Sequence, residues 1–402
     1  MFINCEQVIV KEREKCAVCD SCDLDVVFNL PKLPLTGLYC SEPMQEERVA
    51  YFDQGLLMCR SCSHAQLAKQ VSTDFLYGGE YSFRTSVSAT ARQGTNFFLN
   101  ILNKVAPQQQ FRGVLDLGCN DLHLLKQLED RSSFRLGIDP VWEGKEQQND
   151  DSTITVVGTT IEKVDLRSII NEPIDLVICR HTLEHIDNPR AVLEKLFEHT
   201  TQETLFLFEV PGFGPLVDRL RFDQVFHQHL QYFSLASFGT LIQKIGGSYL
   251  GHWENYHDWG SMVIAFKKSP RSFEETEVAK KIDINLVQNR YQLFVEEMQM
   301  STQILQSLSS SSLYGYGAAQ MLPILAYHMG TDFSNLIAVI DDDNSKKGLY
   351  YNNLPLVIQT PDALENWEEA SIFITAVDNG PRILPKLLTL RPKRIIMPFR
   401  MI

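Results

Sequence analysis

"GVLDLGCND", Gly113 to Asp121, is an apolar run that ends in an acid, a single glycine and a polar pair. Such a run breaking at a glycine reads as a buried strand turning sharply towards a helix. The chain downstream repeats the alternation: helix-like "DLHLLKQLED", then "FRLGIDP", "ITVVGTT", "IDLVICR", helix-like "PRAVLEKLFEH" and "TLFLFEV". Short apolar runs between amphipathic helices predict an α/β fold built on a doubly wound, mostly parallel sheet. Ligands of such sheets bind at the carboxyl ends of the strands. There the turn offers Asp116, Gly118, Cys119 and Asn120, and the second strand ends in Asp139, at about the offset where an acid meets a ribose hydroxyl. A pyrophosphate would call for several glycines and bare helix N–H groups, whereas this turn has one glycine and a further acid at Asp121. A cationic cofactor without phosphate fits better, and S-adenosylmethionine is the expected one. Arg180, closing "IDLVICR", completes the expected cofactor set.

At 402 residues the chain predicts two or three domains. Hydrophobic residues make up 44% and charged residues 22%, a composition of folded globular proteins. The 50 acidic and 37 basic side chains give a formal net charge of -13, which disfavours a polyphosphate partner. No apolar stretch reaches the length of about 18 residues needed to cross a membrane, and the first residues are charged. The expectation is a cytoplasmic protein with no nucleic-acid or membrane partner, a monomer or a weak homodimer.

Seven of the nine cysteines fall within the first 62 residues. "CAVC" (Cys16, Cys19) and "CRSC" (Cys59, Cys62) are two knuckles whose spacing suits four thiolates around one zinc ion. Cys22 and His64 lie close enough in sequence to compete, but the symmetric four-cysteine set is preferred. Four thiolates leave no open coordination position, so the zinc would be structural. "LPKLPLTGLYC" between the knuckles, with two prolines and a glycine, reads as turn-rich.

"FHQHLQYFS", Phe226 to Ser234, places His227 and His229 two residues apart. In an extended segment their side chains would face opposite ways, so one imidazole at most would enter a given pocket. Tyr232 and Phe233 read as core or pocket wall. With the cysteine knuckles, "EYSFRTS", "LDLGCND", "LEHI" and "EVPGF" ahead of it in that order, this chain resembles the zinc-containing S-adenosylmethionine-dependent sugar C-methyltransferases, which act on nucleotide-linked keto-deoxysugars. The resemblance runs over most of the chain. It implies a class I methyltransferase domain in the middle and a small α/β domain at the end. It assigns His229 as the base that removes the proton beside the sugar ketone and His185 and Tyr81 as its catalytic companions, and His227, two residues before the base, is expected as a further catalytic candidate that more readily braces the loop. Arg84, Phe226 and Gln228 fall on the sugar side. Family members usually carry Tyr and Glu where this chain has Phe226 and Gln228. A neutral imidazole suits that proton transfer at neutral pH whatever the family.

Residues 272–308 read as a mixed-charge helical hairpin ending at a serine run. Beyond it, "LYGYGAAQMLPILAYHMG", "LIAVIDDDNSKKG" and "SIFITAV" read as a second, smaller Rossmann-like unit. Gly315 and Gly317 would leave backbone N–H groups for a phosphate, and the resemblance makes this unit a holder of the nucleotide-sugar. The expected layout is a zinc-binding domain at 1–75, a methyltransferase domain at 76–270, a helical connector at 271–310 and a substrate-binding domain at 311–402. Two other readings fit the same motifs: an RNA base methyltransferase, disfavoured by the acidic balance, and a silent cofactor-binding assembly module, favoured by the changes at Phe226 and Gln228.

Overall fold

The computed structural model describes residues 8–37, 39–45, 51–72, 76, 85–86, 88–255, 260–268, 280–308 and 312–398. Its largest element is a seven-stranded sheet in the spatial order Gly247–Asn255, Ser261–Lys268, Leu205–Pro211, Leu176–Arg180, Phe111–Leu117, Ser132–Ile138 and Ile154–Val157. Leu205–Pro211, Leu176–Arg180 and the three strands beyond run parallel; Ser261–Lys268 is antiparallel to both of its neighbours. The middle strands are covered on both faces, which is why they read as unbroken apolar runs: Leu176 to Cys179 and Leu205 to Val210 are all buried. This is a mixed, mostly parallel Rossmann-like sheet.

A four-stranded antiparallel sheet precedes it in sequence and reaches into it. Its strands Leu24–Pro34, Tyr51–Cys59 and Ala65–Leu67 are joined by Gln231–Tyr232, the tail of the histidine loop. The prolines of "LPKLP" do not end the first strand at once. It runs through Pro34 by way of a register shift between Leu30 and Leu33, with Lys32 at a positive φ of 51°.

The last sheet has five strands, all parallel, in the order Ile358–Gln359, Val339–Ile340, Leu313–Tyr316, Ser371–Ile374 and Arg394–Ile396. Two differences from the sequence reading concern helices. Among the described residues the connector is one 24-residue helix, Ile284–Ser307, rather than a hairpin. "DLHLLKQLED" yields only a single helical turn, His123–Lys126, and a 3-10 turn, Glu129–Arg131. The left-handed Leu122 in front of it, at φ 64°, holds the chain in the turn geometry and shortens the helix.

Candidate active site

The turn after Phe111–Leu117 is built to stay bare. Gly118 has φ 75°, and a side chain there would sit 1.9 Å from Thr182 Oγ1, on the segment following the neighbouring strand Leu176–Arg180. The Asn120 amide donates to Asp139 Oδ2 at 2.8 Å, and the Val141 amide donates to Asp139 Oδ1 at 2.8 Å. Asp139 therefore fastens the two strand ends together. Two amides fix the far side of the turn: Thr85 N–H donates to Asn120 Oδ1 at 3.2 Å and Ser86 N–H to Asp121 Oδ2 at 2.8 Å. Cys119 is buried beneath it.

Asp116 is 2% exposed, and burial pushes its carboxyl up to about 8, against the pull of Arg180 and with a further push from Asp139. Arg180 itself is tied inward, donating to Glu209 Oε2 and, at 2.9 Å, to Thr95 Oγ1, with its guanidinium 5.4 Å from the centre of the Phe98 ring. Glu209 is fully buried and accepts a 2.6 Å bond from Ser261 Oγ. Arg180 is thus held at the strand end by a buried ion pair.

The segment after Leu176–Arg180 turns through a short 3-10 helix, Leu183–His185, and meets the histidine loop. The Leu230 amide donates to the Glu184 carbonyl at 2.8 Å, and His185 Nδ1–H donates to the Gln228 carbonyl at 2.7 Å. A carbonyl can only accept, so the proton sits on Nδ1 and the lone pair of His185 on Nε2. The ring of His185 lies 4.9 Å from that of His229 at 70°, and His229 lies 4.2 Å from Phe226. Burial, joined by the field of His185, drives His229 down to about 3, so its imidazole is neutral at neutral pH.

The loop is a turn rather than an extended segment, with the His229 amide donating to the Phe226 carbonyl at 3.1 Å. The two histidines still diverge. His227 Nε2–H donates to the Leu33 carbonyl at 3.1 Å, and its Nδ1 lies 3.4 Å from Gln54 Nε2, so the ring is buried in the N-terminal sheet. Gln228 sends its side chain the same way, accepting from Thr36 Oγ1 at 3.2 Å. The rest of the motif is scaffolding. The Phe226 amide donates to Tyr232 Oη at 3.2 Å, Phe233 is fully buried, and Ser234 caps the helix Leu235–Lys244 in a capping box with Ser237.

The four knuckle cysteines converge. Cys16 and Cys62 sulfurs are 3.6 Å apart, as are those of Cys19 and Cys59, and all four lie within 4.8 Å of one another. A tetrahedral zinc with Zn–S bonds of about 2.3 Å needs sulfurs about 3.8 Å apart, which this set meets with little adjustment. Cys22 is exposed and outside the group. His64 points away, donating from Nε2 to Gln231 Oε1 at 3.0 Å.

Residues 88–249 match the family described as "Methyltransferase domain". Over those residues the chain is similar to methyltransferases. The C-methyltransferase NovU of Streptomyces niveus is 27% identical over 241 residues, 60% of this chain and 57% of that protein, so the match spans little more than half of the relative's length. Among solved structures, the N-methyltransferase NodS of Bradyrhizobium japonicum WM9 with S-adenosyl-L-homocysteine aligns with TM-score 0.37 at 12% identity, covering 47% of this chain and 93% of NodS. Magnesium protoporphyrin IX methyltransferase of Synechocystis PCC 6803 aligns with TM-score 0.35 at 14% identity, covering 45% of this chain and 84% of that one.

Within this fold, the sequence-derived candidates fall into three groups. Asp116, Gly118, Cys119, Asn120, Asp139 and Arg180 gather at the carboxyl end of the sheet; His185, His229, Phe226 and the Gln228 carbonyl gather beside it; His227 stands apart. Tyr81 and Arg84 lie outside the described residues. The expectation for Gly315 and Gly317 is corrected. Their amides are used within the last sheet, donating to the Ala338 and Ile340 carbonyls at 2.9 and 2.7 Å. A side chain at Gly315 would strike Thr375, and one at Gly317, with φ 97°, would strike Ala376 at 2.3 Å. These glycines serve close strand packing, and the adjacent Ala318 amide is taken by the Asp341 carboxylate at 2.5 Å.

Two groups escaped the sequence reading. Glu184, next to the candidate His185, is 1% exposed, and its carboxylate oxygens have no hydrogen bond among the described residues. Arg221, just ahead of the histidine loop, is buried and forms ion pairs with Asp223 at 2.9 Å and with Asp378 of the last unit at 2.6 Å.

Proposed function

We propose that this chain is a C-methyltransferase acting on a nucleotide-linked keto-deoxysugar. The observation that carries the reading is the pair of imidazoles, His185 and His229, packed 4.9 Å apart beside a phosphate-free cofactor turn. A relative named as a C-methyltransferase, at 27% identity over 60% of the chain, supports it.

S-adenosylmethionine supplies an electrophilic methyl group, and the bare backbone at Gly118 with the buried acid Asp116 suits such a cationic ligand. Asp139 is the residue to meet its ribose, after it has closed the turn through Asn120. His229, neutral and walled by Phe226, accepts the proton α to the sugar ketone, and the electron pair of that C–H bond passes into the enolate. Bound there, S-adenosylmethionine would supply the methyl group to the enolate carbon, its sulfur–methyl bond breaking to leave S-adenosylhomocysteine. His185, with its lone pair on Nε2 and its other nitrogen fixed by Gln228, is oriented to share the proton or to hydrogen-bond the substrate. Phe226 supplies no hydroxyl, so the proton route rests on imidazoles. Tyr81 and Arg84 remain assigned by resemblance to catalysis and sugar binding.

The four cysteines form a structural zinc site in this reading, dividing the chain into the zinc-binding, methyltransferase, connector and C-terminal domains set out above. The substrate is a small molecule, and the protein is cytoplasmic. Among the described residues no helix is long and apolar enough to cross a membrane. The test is a panel of nucleotide-linked keto-sugars incubated with methyl-labelled S-adenosylmethionine, with the label located by mass spectrometry. Label on carbon of one sugar supports the reading; label on nitrogen or oxygen alone, or on RNA, overturns it.

A further inference from the structure

We propose that Glu184 is the fixed counter-charge of the imidazole pair, a positioning residue that lets His185 and His229 take up the substrate proton inside a buried site. The inference rests on the functional reading above. The first observation is an imbalance. A carboxylate at 1% exposure with neither oxygen hydrogen-bonded among the described residues is costly unless a positive charge is to appear beside it. The second is what surrounds it. Glu184 Oε1 lies 3.6 Å from His181 Nδ1, and Glu184 and the nitrogens of His185 and His229 fall within 4.8 Å of one another. Three imidazoles therefore face one carboxylate, from the strand end, the 3-10 turn and the histidine loop. Burial pushes the Glu184 carboxyl up, but the contact with His181 and the fields of His185, His181 and His229 outweigh it and hold the group below the usual carboxylate range. It stays ionised.

The chemistry needs such a group. A base buried as deeply as His229 is kept neutral, which frees its lone pair but weakens it as an acceptor, because the imidazolium it must become finds no water. A carboxylate placed in advance stabilises that imidazolium only once the proton has moved, so its effect falls on the transition state more than on substrate binding. Local structure explains how it is held. The 3-10 turn buries Leu183 and Glu184 together, and the Glu184 carbonyl is fixed by the Leu230 amide, so the backbone of the histidine loop and this carboxylate are locked to each other.

The experiment compares wild type with Glu184→Gln and Glu184→Asp. In deuterated water the wild type should exchange the proton α to the ketone. Glu184→Gln should slow that exchange by about 10- to 100-fold with unchanged KM for the sugar and unchanged affinity for S-adenosylmethionine, and Glu184→Asp should recover most of the rate. In ligand-free protein, the ring of His229, followed by its resonances, should protonate at higher pH in the wild type than in Glu184→Gln, since removing the negative charge disfavours imidazolium. This second reading needs no substrate. If the wild type exchanges no keto-sugar proton, the functional reading fails while the titration still decides the role of Glu184. Identical titrations in the two proteins, loss of cofactor affinity in step with rate, or a divalent ion found bound to the two imidazoles would each overturn the proposal.

Discussion

Gln231 and Gln66 face each other as partners in an antiparallel ladder, so the loop bearing His229 continues directly into the sheet that carries the cysteine knuckles. His64 in one knuckle region bonds the Gln231 side chain, which also donates to the Ile186 carbonyl at 2.9 Å. The cysteine cluster and the imidazole pair thus share a framework that runs through His64 and Gln231.

Disrupting the cluster should therefore stop turnover before it affects the cofactor. Cys16→Ser, or prolonged chelation, should lower turnover by about 10²-fold or more, the effect of a misplaced catalytic group, while calorimetry still detects S-adenosylmethionine binding. Elemental analysis of the fresh wild type should give one zinc per chain. Full activity after metal loss would refute the coupling.

His229→Asn should reduce turnover by about 10²- to 10⁴-fold with little change in cofactor affinity. His227→Asn should act differently, because its ring holds the Leu33 carbonyl and the loop rather than facing His185. A lower melting temperature with a smaller loss of rate is the expected result. If His227→Asn alone abolishes α-proton exchange, the assignment of the base is wrong.

Cofactor affinity should depend on pH through Asp116. Burial holds its carboxyl at about 8 in the free protein, and a nearby cation favours the carboxylate, so binding should release a proton. Affinity should then rise with pH up to about 8 and level off above it. Calorimetry in buffers of different ionisation enthalpy reads the proton directly. Asp139→Ala should weaken binding at every pH, since Asn120 loses the acceptor that shapes the turn.

Folding stability should fall on the acid side. Burial lowers His227 and His328 to about 4 and His229 to about 3, so the unfolded chain binds protons that the folded chain refuses. Stability from these groups is complete above an unfolded value of about 6.5 and is lost as pH falls from there towards 4, by about 1.4 kcal/mol per pH unit for each ring. Denaturant midpoints measured between pH 7 and pH 5 check the slope, and His328→Asn, far from the imidazole pair in sequence, should flatten it.

The central sheet was legible because buried parallel strands are written as unbroken apolar runs, and "LDLGCND" names its own position at a strand end. The cysteine pairing was legible from spacing alone. Gly315 and Gly317 misled because a glycine signals close approach without saying to what. The approaching atoms belong to Thr375 and Ala376, on a strand end far along the chain. Glu184 was hidden for the opposite reason: an acid beside a histidine looks solvated, and only the 3-10 turn at Leu183–His185 turns it inward. The angle between His227 and His229 was anticipated, but a turn produces it rather than strand alternation.

One pairing sets a timetable for the chain as it is made. The strand Tyr39–Cys40 finds its only ladder partner among the described residues in Tyr350–Tyr351, with Cys40 and Tyr350 separated by 310 positions. At a synthesis rate of about 5–20 residues per second, the early strand waits roughly 15 to 60 s for its mate to leave the ribosome. Gln66 waits for Gln231 in the same way. These early strands are thus among the last to be finished, and during that interval their unpaired edges depend on whatever else in the cell will cover them.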